Sequence, residues 1–216
     1  MEYNPPHPLN VLITPGVLSK YHRMFAFNLR LMRVENVVRT LFRLTRRAAR
    51  PLFPTLTPAH KLLLHFRFVA HAFIMTLASY VYDIAIGSNI DTFLARLAAA
   101  SPANSPPLTA SASSRPEGGA KSSGAFADVF SLAEHHSRVL DDVLSACLLR
   151  SGQKAVGDIL RGCMELVLEL GVLAGELHDG NLEEYEAAPA LEDLWQRFKG
   201  RMITFVSTLL SPQERH

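Results

Sequence analysis

Apolar residues recur along this chain at intervals of three and four. Tyr21, Phe25, Leu29 and Met32 follow one another at spacings of 4, 4 and 3, which places their side chains on one helical face. No segment shows the sustained apolar and polar alternation that is typical of a half-buried strand. Because 48% of the 216 residues are hydrophobic, the chain can fill one sizeable core. We therefore predict an all-α fold, a multi-helix bundle.

The pattern divides into about six helices. The first begins near Val17 and is ended by the prolines from Pro51 onward, because proline lacks the backbone donor that a helix interior needs. Gly87 is expected to stop the second helix, and Ser88 or Asn89 to cap a short third one. The second to sixth helices are predicted over about 59–86, 90–97, 128–150, 153–177 and 191–210.

Two segments are predicted to lack helix. Residues 3–15 contain four prolines and are expected to run extended over the surface. Residues 101–125 consist almost wholly of Ser, Ala, Pro and Gly, a composition that buries too little apolar surface to order a chain. Since helical patterns flank this insert on both sides, we expect one long disordered loop within a single domain over residues 1–216.

The first predicted helix carries two apolar stripes. Counting about 100° per residue, the stripe from Tyr21 to Met32 lies roughly 145° around the helix from a second stripe. Such a helix either is kinked near Val34 or packs against different neighbours along its length. Both possibilities require a bundle of several helices. The second stripe is formed by Val34, Val37, Leu41 and Leu44.

Composition predicts a cytosolic protein that does not cross a membrane. Residues 68–82 are uncharged for 15 residues, whereas a spanning helix needs about 20, so we expect a buried core helix there. Cys147 and Cys163 fall on apolar helical faces, which favours reduced thiols over a disulfide framework. Nothing at the N-terminus has the pattern of a signal peptide.

Known catalytic and metal-binding spacings are missing from the sequence. His60, His65 and His71 are separated by 5 and 6 residues, whereas metal-binding histidines on a helix usually lie four apart beside a carboxylate or thiolate. His135 and His136 follow Glu134 without a second histidine at zinc-protease spacing. Gly118 and Gly119 are not followed by the lysine of a phosphate loop. We therefore predict no catalytic residue, no cofactor and no metal.

Basic charge is concentrated in the N-terminal part. Residues 1–82 hold 11 Lys and Arg against Glu2 and Glu35, so this part either meets an acidic partner or faces the acidic remainder within the fold. Four arginines at spacings of 4, 3 and 4 form one stripe on the first predicted helix. Their guanidinium groups could bind carboxylates or phosphates of a partner, or be solvated or paired within the fold. A protein is favoured over nucleic acid, since no nucleic-acid motif accompanies it. The stripe contains Arg39, Arg43, Arg46 and Arg50.

The segment His7-Pro8-Leu9-Asn10-Val11-Leu12-Ile13 carries a Pro-Leu step near the N-terminus. It resembles the start of the C-terminal domain of gamma-tubulin complex components, although His7 stands where that family usually has Trp, and further segments resemble the domain in order. The run Leu31-Met32-Arg33-Val34-Glu35 resembles the Leu-x-Lys/Arg-Val step that follows. Tyr80 and Tyr82 correspond to paired tyrosines, and Cys147-Leu148-Leu149 to a Cys-Leu-Leu element after a variable loop.

This resemblance implies a non-catalytic protein that binds gamma-tubulin within a microtubule-nucleating complex. Its expected partners are gamma-tubulin and other complex components, and its expected location is the cytoplasm, cytoskeleton and microtubule organising centre. No nucleotide site is implied, since the GTP belongs to gamma-tubulin. The arginine stripe is then the candidate electrostatic contact. A generic helical adaptor and an RNA-binding helical module stay open as alternatives.

Overall fold

The computed structural model describes residues 5–47, 52–99, 126 and 128–211. Over these residues all long elements are helices and no strand is present, so the predicted all-α bundle is confirmed. The predicted disordered loop at 101–125 lies outside the described residues. The helices are α1 (Leu9–Leu12), α2 (Pro15–Arg47), α3 (Thr57–Ser79), a π-helical segment (Tyr80–Ser88), α4 (Asn89–Ala99), α5 (Val129–Ala146), α6 (Lys154–His178) and α7 (Glu184–Leu210).

The predicted second and third helices are one continuous helix, joined by the π-helical segment. Gly87 was expected to end the second helix, but it lies inside the π-helical segment, where its lack of a side chain allows the backbone to approach closely. A Cβ at this position would lie 2.8 Å from the carbonyl oxygen of Tyr82. Ser88 and Asn89 do not cap a new helix, because their side chains donate to carbonyl oxygens four residues back, at 2.6 and 2.9 Å.

Both chain ends of the bundle contain more helix than expected. Residues 9–12 form α1 rather than part of an extended surface segment, and α2 begins at Pro15, where a proline is tolerated because first-turn amides have no partner within the helix. At the other end, α7 begins at Glu184 and carries Pro189 in its second turn. The Glu184 carboxylate accepts from the backbone amides of Thr55 and Leu56 at 3.1 and 3.3 Å, which fixes α7 against the start of α3.

The hydrophobic core lies between α2, α3, α6 and α7, and α5 adds Leu140, Val143 and Leu144 to it. Aromatic rings join α3 to α7: Phe66 packs on Trp195 and Phe198 with ring centroids 5.2 and 5.0 Å apart. Helix α6 approaches α2 closely at Gly171, where an added Cβ would lie 2.3 Å from a methyl carbon of Val37. Helix α5 packs across α1, α2 and α4.

Helix α2 buries one continuous face rather than two. The buried positions are spaced by seven, three and four residues, so they form a single stripe. The second predicted stripe belongs to it in part, since Val34 and Leu41 are buried. The first predicted stripe does not, because Phe25, Leu29 and Met32 are 64, 50 and 51% exposed. The buried residues of α2 are Val17, Met24, Phe27, Leu31, Val34, Val38 and Leu41.

The uncharged stretch at residues 68–82 contributes one face to the core. Ala70, Ile74 and Ala78 are buried, whereas Phe68 is 69% exposed. By length and composition the continuous helix Thr57–Ala99 is the one described helix that could cross a membrane, and 28% of its most hydrophobic window is buried. Core helices of soluble proteins meet the same criterion, so this observation is weak evidence for a membrane.

Candidate functional site

The arginines singled out from the sequence lie on the outer surface of α2. Arg39, Arg43 and Arg46 have exposed side chains, and we call these three the arginine face. Arg39 pairs with Glu35 at 2.5 Å, and Arg43 donates to the hydroxyl of Thr40 at 3.0 Å. Neither Arg43 nor Arg46 forms an ion pair with a described acidic residue. Arg50 lies outside the described residues.

An aromatic side chain stands among these arginines. Phe42 is 39% exposed, and the guanidinium of Arg67 on α3 lies over its ring, 4.6 Å from the centroid. Burial lowers the pKa of Arg67. His71, one turn further along α3, also packs against Phe42, with ring centroids 6.0 Å apart. Sequence reasoning missed Phe42, Arg67 and His71 because α2 and α3 bring them together from separate segments.

A shallow cleft of about 430 Å³ opens in this cluster. Asn36, Arg39, Phe42, Arg43 and His71 line it, and no acidic residue is among the five. Guanidinium groups beside an exposed ring can bind a carboxylate through paired hydrogen bonds while the ring contacts an apolar neighbour. The arrangement is therefore suited to an acidic surface that also presents apolar side chains.

Exposed apolar side chains continue along the same helix. Phe25, Leu29 and Met32 form an apolar strip on α2, and Val172 of α6 is 60% exposed beside it. Leu29, Met32 and Val172 line a groove of about 620 Å³ between α2 and α6, and Asn36 lines both this groove and the arginine-lined cleft. An exposed apolar patch next to polar residues is a candidate interaction surface. The apolar strip and the arginine face therefore form one continuous outer surface of α2.

Four of the described histidines, His65, His71, His135 and His136, pack against aromatic rings. The ring of His65 packs edge-on against Trp195, with centroids 4.9 Å apart. His136 is buried, and its Nε2 lies 2.8 Å from the Tyr21 hydroxyl. Burial lowers the pKa of His136, which keeps the ring neutral near pH 7. No group of three His, Cys, Asp or Glu among the described residues is placed to hold a metal ion.

The two cysteines are buried free thiols. Burial raises the pKa of both Cys147 and Cys163 to about 11. A thiol with such a pKa carries almost no nucleophilic thiolate at neutral pH. These residues act as small apolar side chains in the core.

Comparison with known proteins gives a family. A search of curated proteins found no match. A family model described as gamma tubulin complex component C-terminal matches residues 1–216. The proteins of that family are cytoskeletal and microtubule-organising, and they act as structural, non-catalytic scaffolds. Because the match covers all 216 residues, the chain belongs to the gamma tubulin complex component C-terminal family.

Proposed function

We propose that this protein binds gamma-tubulin, without catalysis, as part of a microtubule-nucleating gamma-tubulin complex. The family match over residues 1–216 carries the proposal. The outer surface of α2 supports it, because Arg43 and Arg46, which form no ion pair with a described acid, lie on the same helix face as exposed apolar side chains. Its other partners are further components of the complex. Its location is the cytoplasm, at the cytoskeleton and the microtubule organising centre.

The arginine face supplies the electrostatic part of the contact. An ion pair between exposed side chains contributes only about 0–1 kcal/mol, whereas charge complementarity raises the rate of encounter and favours the correct orientation. Arg43 and Arg46 are exposed and form no ion pair with a described acid, so they can pair with carboxylates of the partner. Arg50 continues the spacing of this row in the sequence.

The apolar strip supplies the part of the contact that salt does not screen. Phe25, Leu29 and Met32 each leave half or more of their surface in water. Removing apolar surface from water is favourable by about 25 cal/mol for each Å² before the costs of association are subtracted. A partner that covers both the strip and the arginine face gains affinity from the first and orientation from the second.

The arginine face is tested by charge reversal. The double variant Arg43→Glu, Arg46→Glu is expected to lose most gamma-tubulin co-precipitation at low salt, because two favourable charges become repulsive. The matched control reverses two exposed cations on other helices, Arg138→Glu on α5 and Lys199→Glu on α7, and is expected to co-precipitate normally. Unchanged co-precipitation of the Arg43, Arg46 variant would remove the arginine face from the proposal.

The remaining alternatives have distinct outcomes in the same assay. Failure of the unmodified chain to bind gamma-tubulin, with intact helical circular dichroism, would favour a generic helical adaptor. Steeply salt-dependent binding to random RNA without affinity for gamma-tubulin would select an RNA-binding module instead.

A further inference from the structure

A second basic site lies away from the arginine face, in a cavity of about 400 Å³ between α2, the connection from α5 to α6, and α6 itself. Its lining residues include five cations and no Asp or Glu. Among described residues only Arg161 is paired with an acid, Asp158, at 2.8 Å. Four of the five cations therefore carry positive charge that no acidic residue in the described part of the chain pairs with. The five cations are Arg23, Arg30, Arg150, Lys154 and Arg161.

An apolar groove of about 610 Å³ lies beside this cavity. Phe73 and Leu77 of α3 form one wall, and Met202, Val206 and Leu209 of α7 form the other. The polar side-chain groups in its lining are the hydroxyls of Thr76 and Tyr80 and the thiol of Cys147. The Tyr80 hydroxyl already donates a hydrogen bond to the Ala146 carbonyl at 3.2 Å. Such a volume is within the range of pockets that enclose small ligands, so it has room for several apolar side chains.

The cavity and the groove meet at the turn after α5. Phe27, Cys147, Leu148 and Leu160 line both. Leu148 has a φ of 58°, a left-handed conformation that a leucine adopts at a cost of about 1 kcal/mol or more. The Leu148 amide donates to the Ser145 carbonyl at 3.1 Å, and the Leu149 amide donates to the Leu144 carbonyl at 2.8 Å. These are the two hydrogen bonds of a Schellman turn.

Packing against α6 holds this strained turn in place. At Gly157 an added Cβ would lie 2.7 Å from the Leu148 carbonyl oxygen, so the helix backbone itself abuts the turn. A glycine at position 148 would remove the strain, yet it would also remove the side chain that stands between the cavity and the groove. Unrelieved backbone strain at a surface site is a reason to look for a function there.

We propose that the cavity and the groove form one composite docking site for a protein segment that carries apolar side chains next to a run of carboxylates. The apolar side chains fill the groove, and the carboxylates pair with Arg23, Arg30, Arg150 and Lys154. A bare anion would leave the groove empty, and a wholly apolar segment would leave the cations uncompensated. The site goes beyond gamma-tubulin binding by the outer surface of α2, because Leu148, the α5–α6 connection and α7 build it.

Peptide binding to the full chain tests the composite site. The probe is a fluorescein-labelled synthetic peptide with Leu, Leu and Phe followed by four Glu residues, measured by fluorescence anisotropy at low salt. We expect saturable binding. A peptide with Gln for every Glu and a peptide with Ser for every apolar residue are each expected to bind at least about tenfold more weakly, because each loses one half of the contact. Equal binding of either control peptide, or no saturable binding of the probe, would overturn the proposal.

Variants of the chain assign the binding to this place. Arg150→Glu, Lys154→Glu is expected to weaken probe binding at least about tenfold through reversed charge, and Arg138→Glu, Lys199→Glu is expected to leave it unchanged. Leu148→Gly relieves the left-handed strain but removes a side chain that packs against the core, so it is expected to weaken probe binding while the circular dichroism spectrum stays helical, which separates loss of the site from loss of the fold. Unchanged probe binding in both Arg150→Glu, Lys154→Glu and Leu148→Gly would contradict the assignment. Neither result bears on the Arg43, Arg46 test of gamma-tubulin binding.

Discussion

The two long faces of α2 both carry apolar side chains but have opposite roles. The inner face, from Val17 to Leu41, lies in the core, and Leu31, Val34 and Val38 are wholly buried there. The outer face carries Phe25, Leu29 and Met32 in water and continues into the arginine face. Apolar periodicity therefore identifies a helix but does not decide which of two apolar stripes meets the core. The stripe left outside is the one available to a partner.

The largest expected effect separates the two faces at neighbouring positions. Leu31→Ala is expected to lower the free energy of unfolding by about 3 kcal/mol, because a fully buried leucine leaves a cavity. Leu29→Ala, on the outer face, is expected to change it by less than about 0.5 kcal/mol. Chemical denaturation followed by circular dichroism measures both. Equal losses from the two variants would contradict the division of α2 into inner and outer faces.

The inner face can also be tested from the side of α6. Gly171→Ala is expected to cost about 1–3 kcal/mol, because the new methyl group would overlap the Val37 side chain and overpack the contact. Gly175→Ala is its matched control in the same helix, since no atom lies within 4 Å of the new Cβ. It is expected to stabilise the protein by up to about 1 kcal/mol through helix propensity. Stabilisation by both changes would show that α2 and α6 are not in close contact at Val37.

A smaller effect is the pH dependence of stability that comes from His136 of α5. This buried histidine contacts the hydroxyl of Tyr21 on α2. Burial lowers the folded-state pKa of His136 below its ordinary value of 6.5, so below pH 6.5 the unfolded chain binds more protons than the folded one. The free energy of unfolding is therefore expected to fall as the pH drops from about 7 to about 5. His136→Gln should reduce this dependence. An identical pH profile in the variant would rule out His136 as its source.

The helical fold could be predicted from the sequence because spacings of three and four residues are a local property of the chain. Features that depend on contacts between distant segments could not. The Arg67 contact with Phe42 requires α2 and α3 to be packed together, and nothing local marks Leu148 as a left-handed residue, since glycine is the usual residue at that point of a turn. The π-helical segment at Gly87 was missed for a related reason. Glycine commonly ends a helix, and here it admits a wider turn.

The candidate site was predicted in part. The spacing of Arg39, Arg43 and Arg46 predicted a common face, and the structure places all three side chains at the surface. Sequence reasoning missed the adjoining apolar strip, because Phe25, Leu29 and Met32 have the spacing of core residues. Burial depends on what packs against a helix, and the periodicity of one helix does not contain that information.

The central claim is that the outer surface of α2 is a binding surface and not part of the folding core. Isothermal titration of purified gamma-tubulin with the Leu29→Gln variant, beside a denaturation curve of the same sample, tests this claim most directly. We predict gamma-tubulin affinity reduced about tenfold or more with a free energy of unfolding within about 0.5 kcal/mol of the unmodified chain. Unchanged affinity, or weakened affinity accompanied by a loss of several kcal/mol in stability, would contradict it.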